Sequence, residues 1–193
     1  MAVQTLGSTS TAGIEHLKGL TGLETLSLND TKVTDAGLEH LKGLTNLHHL
    51  NLSYTQVTGA GLEHLKGLKH LQYLSLNRTQ IGDAGLEHLK GLTNLIQLHL
   101  TNTNVSDAGM KHLKGLTSLT ELILRDTKVT GPGLEHLKGL TWLDLSGTNV
   151  TGTGLENLKG LTKLRHLHLR GTKITDEGVK KLQQALPNCE IRH

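Results

Sequence analysis

The stretch Leu47-His48-His49-Leu50-Asn51-Leu52-Ser53-Tyr54-Thr55-Gln56-Val57 carries the pattern L-x-x-L-x-L-x-x-T-x-V, and the chain repeats it through most of its length. Its threonine returns as Thr31, Thr55, Thr79, Thr103 and Thr127, each 24 residues after the last. Self-similarity at such a period marks a solenoid, in which a single unit is too small to bury its own apolar face and must stack on its neighbours. Within the unit, Leu50-Asn51-Leu52 alternates with period two, which predicts a short strand with its leucines inward. Thr55 and Val57 turn the chain, and Thr34-Asp35 or Thr58 supplies helix N-cap chemistry. Leu38 and Leu41 then recur at helical spacing, and Gly43 ends the helix. Every strand is entered from the same side, so the strands are parallel. Parallel strands sit about 4.8 Å apart, whereas packed helices need roughly 8–10 Å. A stack with strands on one side and helices on the other therefore bends around the sheet.

These motifs, together with the block Gly37-Leu38-Glu39-His40-Leu41-Lys42-Gly43-Leu44, resemble the leucine-rich repeat family. The chain differs in placing Thr where that family usually has Asn or Cys. The resemblance covers nearly the whole chain. It implies an α/β leucine-rich repeat solenoid, a horseshoe with the parallel sheet on the concave face and short helices on the convex face, as in many bacterial members. It also implies a recognition module that binds proteins or peptides.

Composition sets bounds. The net charge of +3 is small, and lysines alternate with glutamates, so no basic stripe for nucleic acid or membrane stands out. No apolar run approaches a membrane span. Met1 to Ser10 lacks the basic-then-apolar pattern of a signal peptide. The single cysteine excludes an intrachain disulfide. Phenylalanine is absent, so the core must be built of leucine.

The expected organisation is one leucine-rich repeat domain over residues 1–193. Residues 1–20 form a partial first repeat or N-terminal cap, 21–177 seven repeats, and 178–193 a capping helix and short strand. Residues 1–12 match the strand pattern poorly. Thr127 and Thr148 are only 21 residues apart, so one repeat is short by three between Gly139 and Leu143, losing a core leucine. Strand pairing should survive this, with Trp142 placed to fold over the gap. Pro187 stops the last helix, and Ile191 aligns with a strand leucine. The N-terminal edge has no recognisable polar cap, so self-association through it is expected.

The helix block barely changes between copies, whereas the outward strand positions change almost every time. All three aromatics, Tyr54, Tyr73 and Trp142, fall in these variable columns, as do Arg78, Arg125 and Arg170. Tyr, Trp and Arg dominate binding hot spots. The expected partner-binding residues are Tyr54, Tyr73, Arg78, His99, Arg125, Trp142, Asp144, His166, His168 and Arg170. They are read as two clusters: Tyr54, Tyr73 and Arg78, and Arg125, Trp142, Asp144, His166, His168 and Arg170.

Other chemistry was weighed against this. His16, His40, His64, His88, His112 and His136 form a helical ladder, read as solvent-facing, since zinc needs three or four ligands. His166-x-His168 with Asp144 has the donor types of an open metal site, but scattered polar residues on a binding surface explain it as well. Asp144, His168 and Ser146 resemble hydrolytic partners without an oxyanion hole. Cys189 reads as half-buried in the terminal cap. The resemblance implies that the Thr column is kept inside as a buried hydroxyl ladder rather than an ice-binding array, and Glu39 with Lys42 reads as a surface ion pair. No catalytic residue, metal or cofactor is assigned, and neither nucleic acid nor membrane is an expected partner. The alternative function is a structural or regulatory repeat segment of a larger protein with its catalytic or signalling domain elsewhere. The uniform helix block would also suit a consensus-designed array, but the 21-residue repeat and irregular concave residues favour a natural chain.

Overall fold

Strands follow one another across a single sheet in chain order. They are β1 (Ala2–Thr5), β2 (Leu23–Ser27), β3 (His49–Asn51), β4 (Tyr73–Ser75) and β5 (Gln97–His99). After them come β6 (Glu121–Ile123), β7 (Trp142–Asp144), β8 (His166–His168) and β9 (Glu190–Arg192). The computed structural model describes residues 2–5 and 11–193, with side chains from Gly13 onward. All pairs are parallel, and the register puts like letters side by side: Leu26, Leu50, Leu74, Leu98, Leu122, Leu143, Leu167 and Ile191 form one row. Strand leucines such as Leu50, Leu74 and Leu98 are fully buried. They pack against the leucines of the helix block in one continuous core. Among the described residues no helix is long and apolar enough to cross a membrane.

Beside this core runs the threonine column. Thr31, Thr55, Thr79, Thr103, Thr127, Thr148 and Thr172 each donate from Oγ1 to the carbonyl oxygen three residues back, at 2.6–2.8 Å. The hydroxyl thus satisfies a carbonyl where the chain leaves the strand, as a buried polar group must be satisfied.

β1 is a finding the leucine pattern did not predict. It pairs with β2 from Val3↔Thr25 to Thr5↔Ser27, with a register irregularity after Ala2. Main-chain pairing at an edge needs no leucine on the strand. The cap expected over 1–20 lies partly outside the described residues, since residues 1 and 6–10 do.

Convex segments are shorter than regular helices. Asp35–Leu38 is one α-turn that tightens into a 3-10 turn at Glu39–Leu41, and the same happens at Asp83–Leu86 and Glu87–Leu89. Consecutive turns are joined in two ways. In the first, an aspartate at the start of one turn clasps a Ser or Thr where the next convex segment begins. Asp35 accepts from Thr58 N (2.7 Å) and Thr58 Oγ1 (2.6 Å); Asp83 does the same with Ser106 (2.7 and 2.6 Å). Asp107 repeats the clasp with Thr130 (2.9 and 2.5 Å). In the second, glycine stands where the aspartate was and backbones close directly. A Cβ on Gly85 would lie 2.7 Å from Gly59 Cα, and one on Gly154 would strike the Thr130 carbonyl oxygen.

The short repeat does not break the sheet. Glu121↔Trp142, Leu122↔Leu143 and Ile123↔Asp144 keep the common register, and Thr141 N and Trp142 N both donate to Thr120 O at 2.8 and 3.0 Å. Trp142 does not fold over the gap; its indole lies instead against His166 and His168, with ring centroids 4.7 and 5.2 Å apart. A side chain on a strand leaves by one face, and the gap is on the other.

Two further readings change. The helical histidines are not simply solvent-facing: His40, His64, His88 and His112 are half-buried, and the Nδ1 atom of each is fully buried without a hydrogen-bond partner. Stacking of successive turns closes over that edge of the ring. Cys189 is buried rather than half-buried, at 4% exposure, and burial pushes its thiol pKa up, which disfavours a reactive thiolate.

Candidate concave-face site

On the outward side of the strands the common register draws straight rows. The first is Thr25, His49, Tyr73, Gln97, Glu121, Trp142, His166 and Glu190; the second is Ser27, Asn51, Ser75, His99, Ile123, Asp144, His168 and Arg192. Members of a row are about 4.8 Å apart per strand.

The middle of the face is a bonded network. Tyr73 hydroxyl meets His99 Nδ1 at 3.3 Å, and His99 Nε2 meets Glu121 Oε1 at 2.9 Å. Gln97 donates to Glu121 Oε2 at 2.6 Å, and His49 stacks on Tyr73 at 6.1 Å. Thr25, His49, Tyr73 and Gln97 line a hollow of about 760 Å³. Tyr73 and His99 belong to the predicted residues; His49, Gln97 and Glu121 were passed over. Their signal was shared membership of the same variable columns.

Tyr73 is thereby separated from Tyr54 and Arg78, with which it was grouped. Those two sit at the strand-to-turn edge, where the Arg78 guanidinium lies 5.1 Å from the centre of the Tyr54 ring. Both are in left-handed backbone, at φ +57° and +53°, as are Asp30, Asn102 and Asp126. Gly147 and Gly171 continue the column. Asp and Asn tolerate this region, but for a bulky residue it is an outlier.

The second cluster holds together in part. Trp142 is flanked by both histidines. Asp144, buried to 8% exposure, receives Ser146 N at 2.8 Å and lies 3.8 Å from His168 Nδ1 and 4.0 Å from Arg125 Nε. His166 turns away from Asp144 to Glu190, 3.2 Å off. The Arg192 side chain, donating to Glu190, holds the Glu190 carboxyl below the usual carboxylate range. Arg170 is exposed, one strand beyond Ser146 in the row that also holds Arg125.

This geometry bears on the chemistry set aside earlier. With Trp142 beside both imidazoles and His166 directed at Glu190, the two histidines do not converge with Asp144, and no group of three metal-ligating side chains occurs among the described residues. Ser146 Oγ is buried and has no hydrogen-bond partner, so His168 does not activate it. The outward face as a whole is a polar surface studded with Tyr73 and Trp142.

Strand-turn-helix units stacked in chain order on one parallel sheet define the class, a repeat solenoid. Leucine-rich repeat models match residues 21–81, 91–114, 115–138, 139–161 and 160–182. The chain belongs to the leucine-rich repeat family. Among solved structures it is similar to the leucine-rich repeat protein LIC12759 of Leptospira interrogans, at 25% identity and TM-score 0.79 over 100% of this chain. It is also similar to internalin C2 of Listeria monocytogenes, at 28% identity and TM-score 0.77, covering 98% of this chain and 79% of the internalin. The chain spans 49% of the Leptospira protein's length. No curated protein matches it. The repeats and these bacterial neighbours suggest a protein-interaction module.

Proposed function

We propose that the chain recognises a protein or peptide through the concave face and performs no catalysis there. The observation that carries this reading is the Tyr54–Arg78 pair. Tyr54 is 48% exposed, so its ring contributes little to the core, yet it occupies a left-handed position at φ +57°. A bulky residue there costs on the order of 1–2 kcal/mol. Strain kept without a folding benefit points to use on a ligand. The Tyr73 network and the Trp142 cluster extend the same surface with aromatic area and oriented hydrogen-bonding groups.

The test uses a partner captured from cell extract by the immobilised chain and then titrated calorimetrically. Tyr73→Ala or Trp142→Ala lowers affinity by about 2 kcal/mol or more. Tyr54→Gly relieves strain, raises the melting temperature and still weakens binding. On the convex side, Lys42→Ala and Glu63→Ala change nothing, because those ion pairs, 3.8 and 3.9 Å long, are exposed. Equal losses from both faces would sink the reading, and absence of any partner would favour the alternative of a repeat segment serving a larger protein.

A further inference from the structure

The short repeat leaves a mark on the convex side that the concave-face reading does not use. In full-length repeats a leucine stands three residues after the helix-end leucine: Leu47, Leu71, Leu95, Leu119 and Leu164. The repeat that feeds β7 carries one leucine fewer: between Leu137 and the strand leucine Leu143 stands only Leu140, where full-length repeats have two. Between Leu119 and the loop of Lys163 the vacated place is a notch of about 310 Å³. Its apolar lining includes Leu116, Leu119 and Leu137. At 4% and 5%, Leu116 and Leu137 are the most exposed of the buried core leucines described.

Its rim is cationic, and for a reason legible in the repeats. In four other repeats the helix-end lysine pairs with a glutamate three residues earlier, at 3.8 Å for Lys42, 3.9 Å for Lys66, 3.0 Å for Lys90 and 2.6 Å for Lys159. Lys114 lacks that partner because its repeat has Lys111 where the others have glutamate. Lys138 lacks it because Gly131-Pro132-Gly133 reduces the helix to the single turn Leu134–His136, and Glu135 lies 3.5 Å from His136 instead. Lys163 joins them on the rim. No carboxylate lines the notch among the described residues.

The loop straps stop here too. Asn46 donates to Thr21 O at 2.9 Å, His70 meets Thr45 O at 3.0 Å and Asn94 donates to Lys69 O at 2.8 Å. The next residues in that column are Ser118 and Lys163, neither with such a bond among the described residues. Apolar floor, unneutralised lysines and missing straps coincide at one place.

We propose that this notch docks an acidic segment of a partner protein. One apolar side chain of that segment sits over Leu116, Leu119 and Leu137, and its flanking carboxylates pair with Lys114, Lys138 and Lys163. Charge complementarity selects an acidic occupant, since lysines without partners gain more from an incoming carboxylate than already paired ones. A peptide fits better than a membrane surface, because the apolar element is one small notch and not a broad face.

The probe is a fluorescein-labelled pentapeptide with one leucine between paired glutamates, followed by fluorescence anisotropy at low salt. Saturable binding is expected, weakened about tenfold or more by the triple variant Lys114→Glu, Lys138→Glu, Lys163→Glu. Inserting Asn-Leu-Thr between Thr141 and Trp142 restores a full repeat, fills the notch and abolishes binding; circular dichroism melts verify that the fold survives. If that insertion unfolds the chain, the lysine variant decides alone. Tyr73→Ala leaves this binding intact, separating it from the concave face. The proposal is overturned if the leucine peptide does not bind, or if the same peptide with serine for leucine binds equally, which is charge attraction alone. Binding to phosphatidylserine vesicles without binding to the peptide overturns it as well.

Discussion

The clasped and the glycine-closed joints of this solenoid solve one packing problem in opposite ways. At Asp35–Thr58, Asp83–Ser106 and Asp107–Thr130 a carboxylate fills the space between successive convex turns and satisfies two donors of the next. At Gly59–Gly85 and around Gly131–Gly154 there is no side chain, and the backbones close instead. The repeat therefore tolerates change only in matched pairs. An aspartate requires a Ser or Thr hydroxyl opposite it as well as a glycine beside it, Gly61 for Asp35 and Gly109 for Asp83, whereas a glycine in its place requires the second glycine alone. The joint from Gly152 to Thr175 follows neither rule: a Cβ on Gly152 would meet nothing within 4 Å, and Gly152, Glu177 and Lys181 line an open cleft of about 260 Å³ there.

Gly154→Ala tests the glycine rule with the largest effect. Its Cβ would collide with backbone and not with a flexible side chain, so urea unfolding should show a loss of about 3 kcal/mol. A loss near zero would mean the joint can widen freely. Asp83→Ala tests the clasp; with the Ser106 N–H and hydroxyl left without their acceptor, the expected loss is about 1.5–2 kcal/mol. Gly152→Asp should install a clasp on Thr175 and raise stability by about 1 kcal/mol, while Gly59→Asp, whose Cβ would lie 2.9 Å from Gly85 Cα, should lower it. If both behave alike, the two kinds of joint are not distinct.

The smallest effect is a pH dependence. His112 lies in the clasped part of the stack, faced by Lys90, Lys111, Glu87 and Asp83. Burial, and then the charge of Lys90, lower its pKa below the ordinary imidazole value. The folded chain thus binds the proton less readily than the unfolded chain. Stability is intact above about pH 6.5 and declines as pH falls through that value toward the lowered one. The melting temperature should drop on acidification, and His112→Gln should flatten the drop. No change of slope in that variant would assign the acid sensitivity elsewhere.

Much of this was legible in the residues. The period fixed strand, turn and helix. The spacing of Thr127 and Thr148 located the short repeat, the Glu39–Lys42 type of pair followed from position, and the buried threonine column followed from the resemblance to the family. The misses share a cause. Asp35 reads as a helix-start residue, and its partner Thr58 is 23 residues away, a distance at which local spacing carries no information. Tyr54, Tyr73 and Arg78 lie on neighbouring strands, which predicts one patch, but Tyr73 stands in a different column from the other two, and the register gives it to His99. The half-burial of His40, His64, His88 and His112 depends on how closely successive turns stack, which the glycines and aspartates set between them. The cationic notch needed two departures in neighbouring repeats, Lys111 and the missing leucine, to be placed side by side.

The order of the sheet, with β1 at one end and β9 at the other, has a mechanical consequence. The hydrogen bonds between strands run along the axis of the stack, so tension applied at the two ends pulls along them and does not slide strand past strand. The ladders then yield one after another, as a zipper opens, with each repeat released at low force once its neighbour has gone. The chain is stiff across the strands and extensible along the stack: a spring whose coils are held by short parallel ladders.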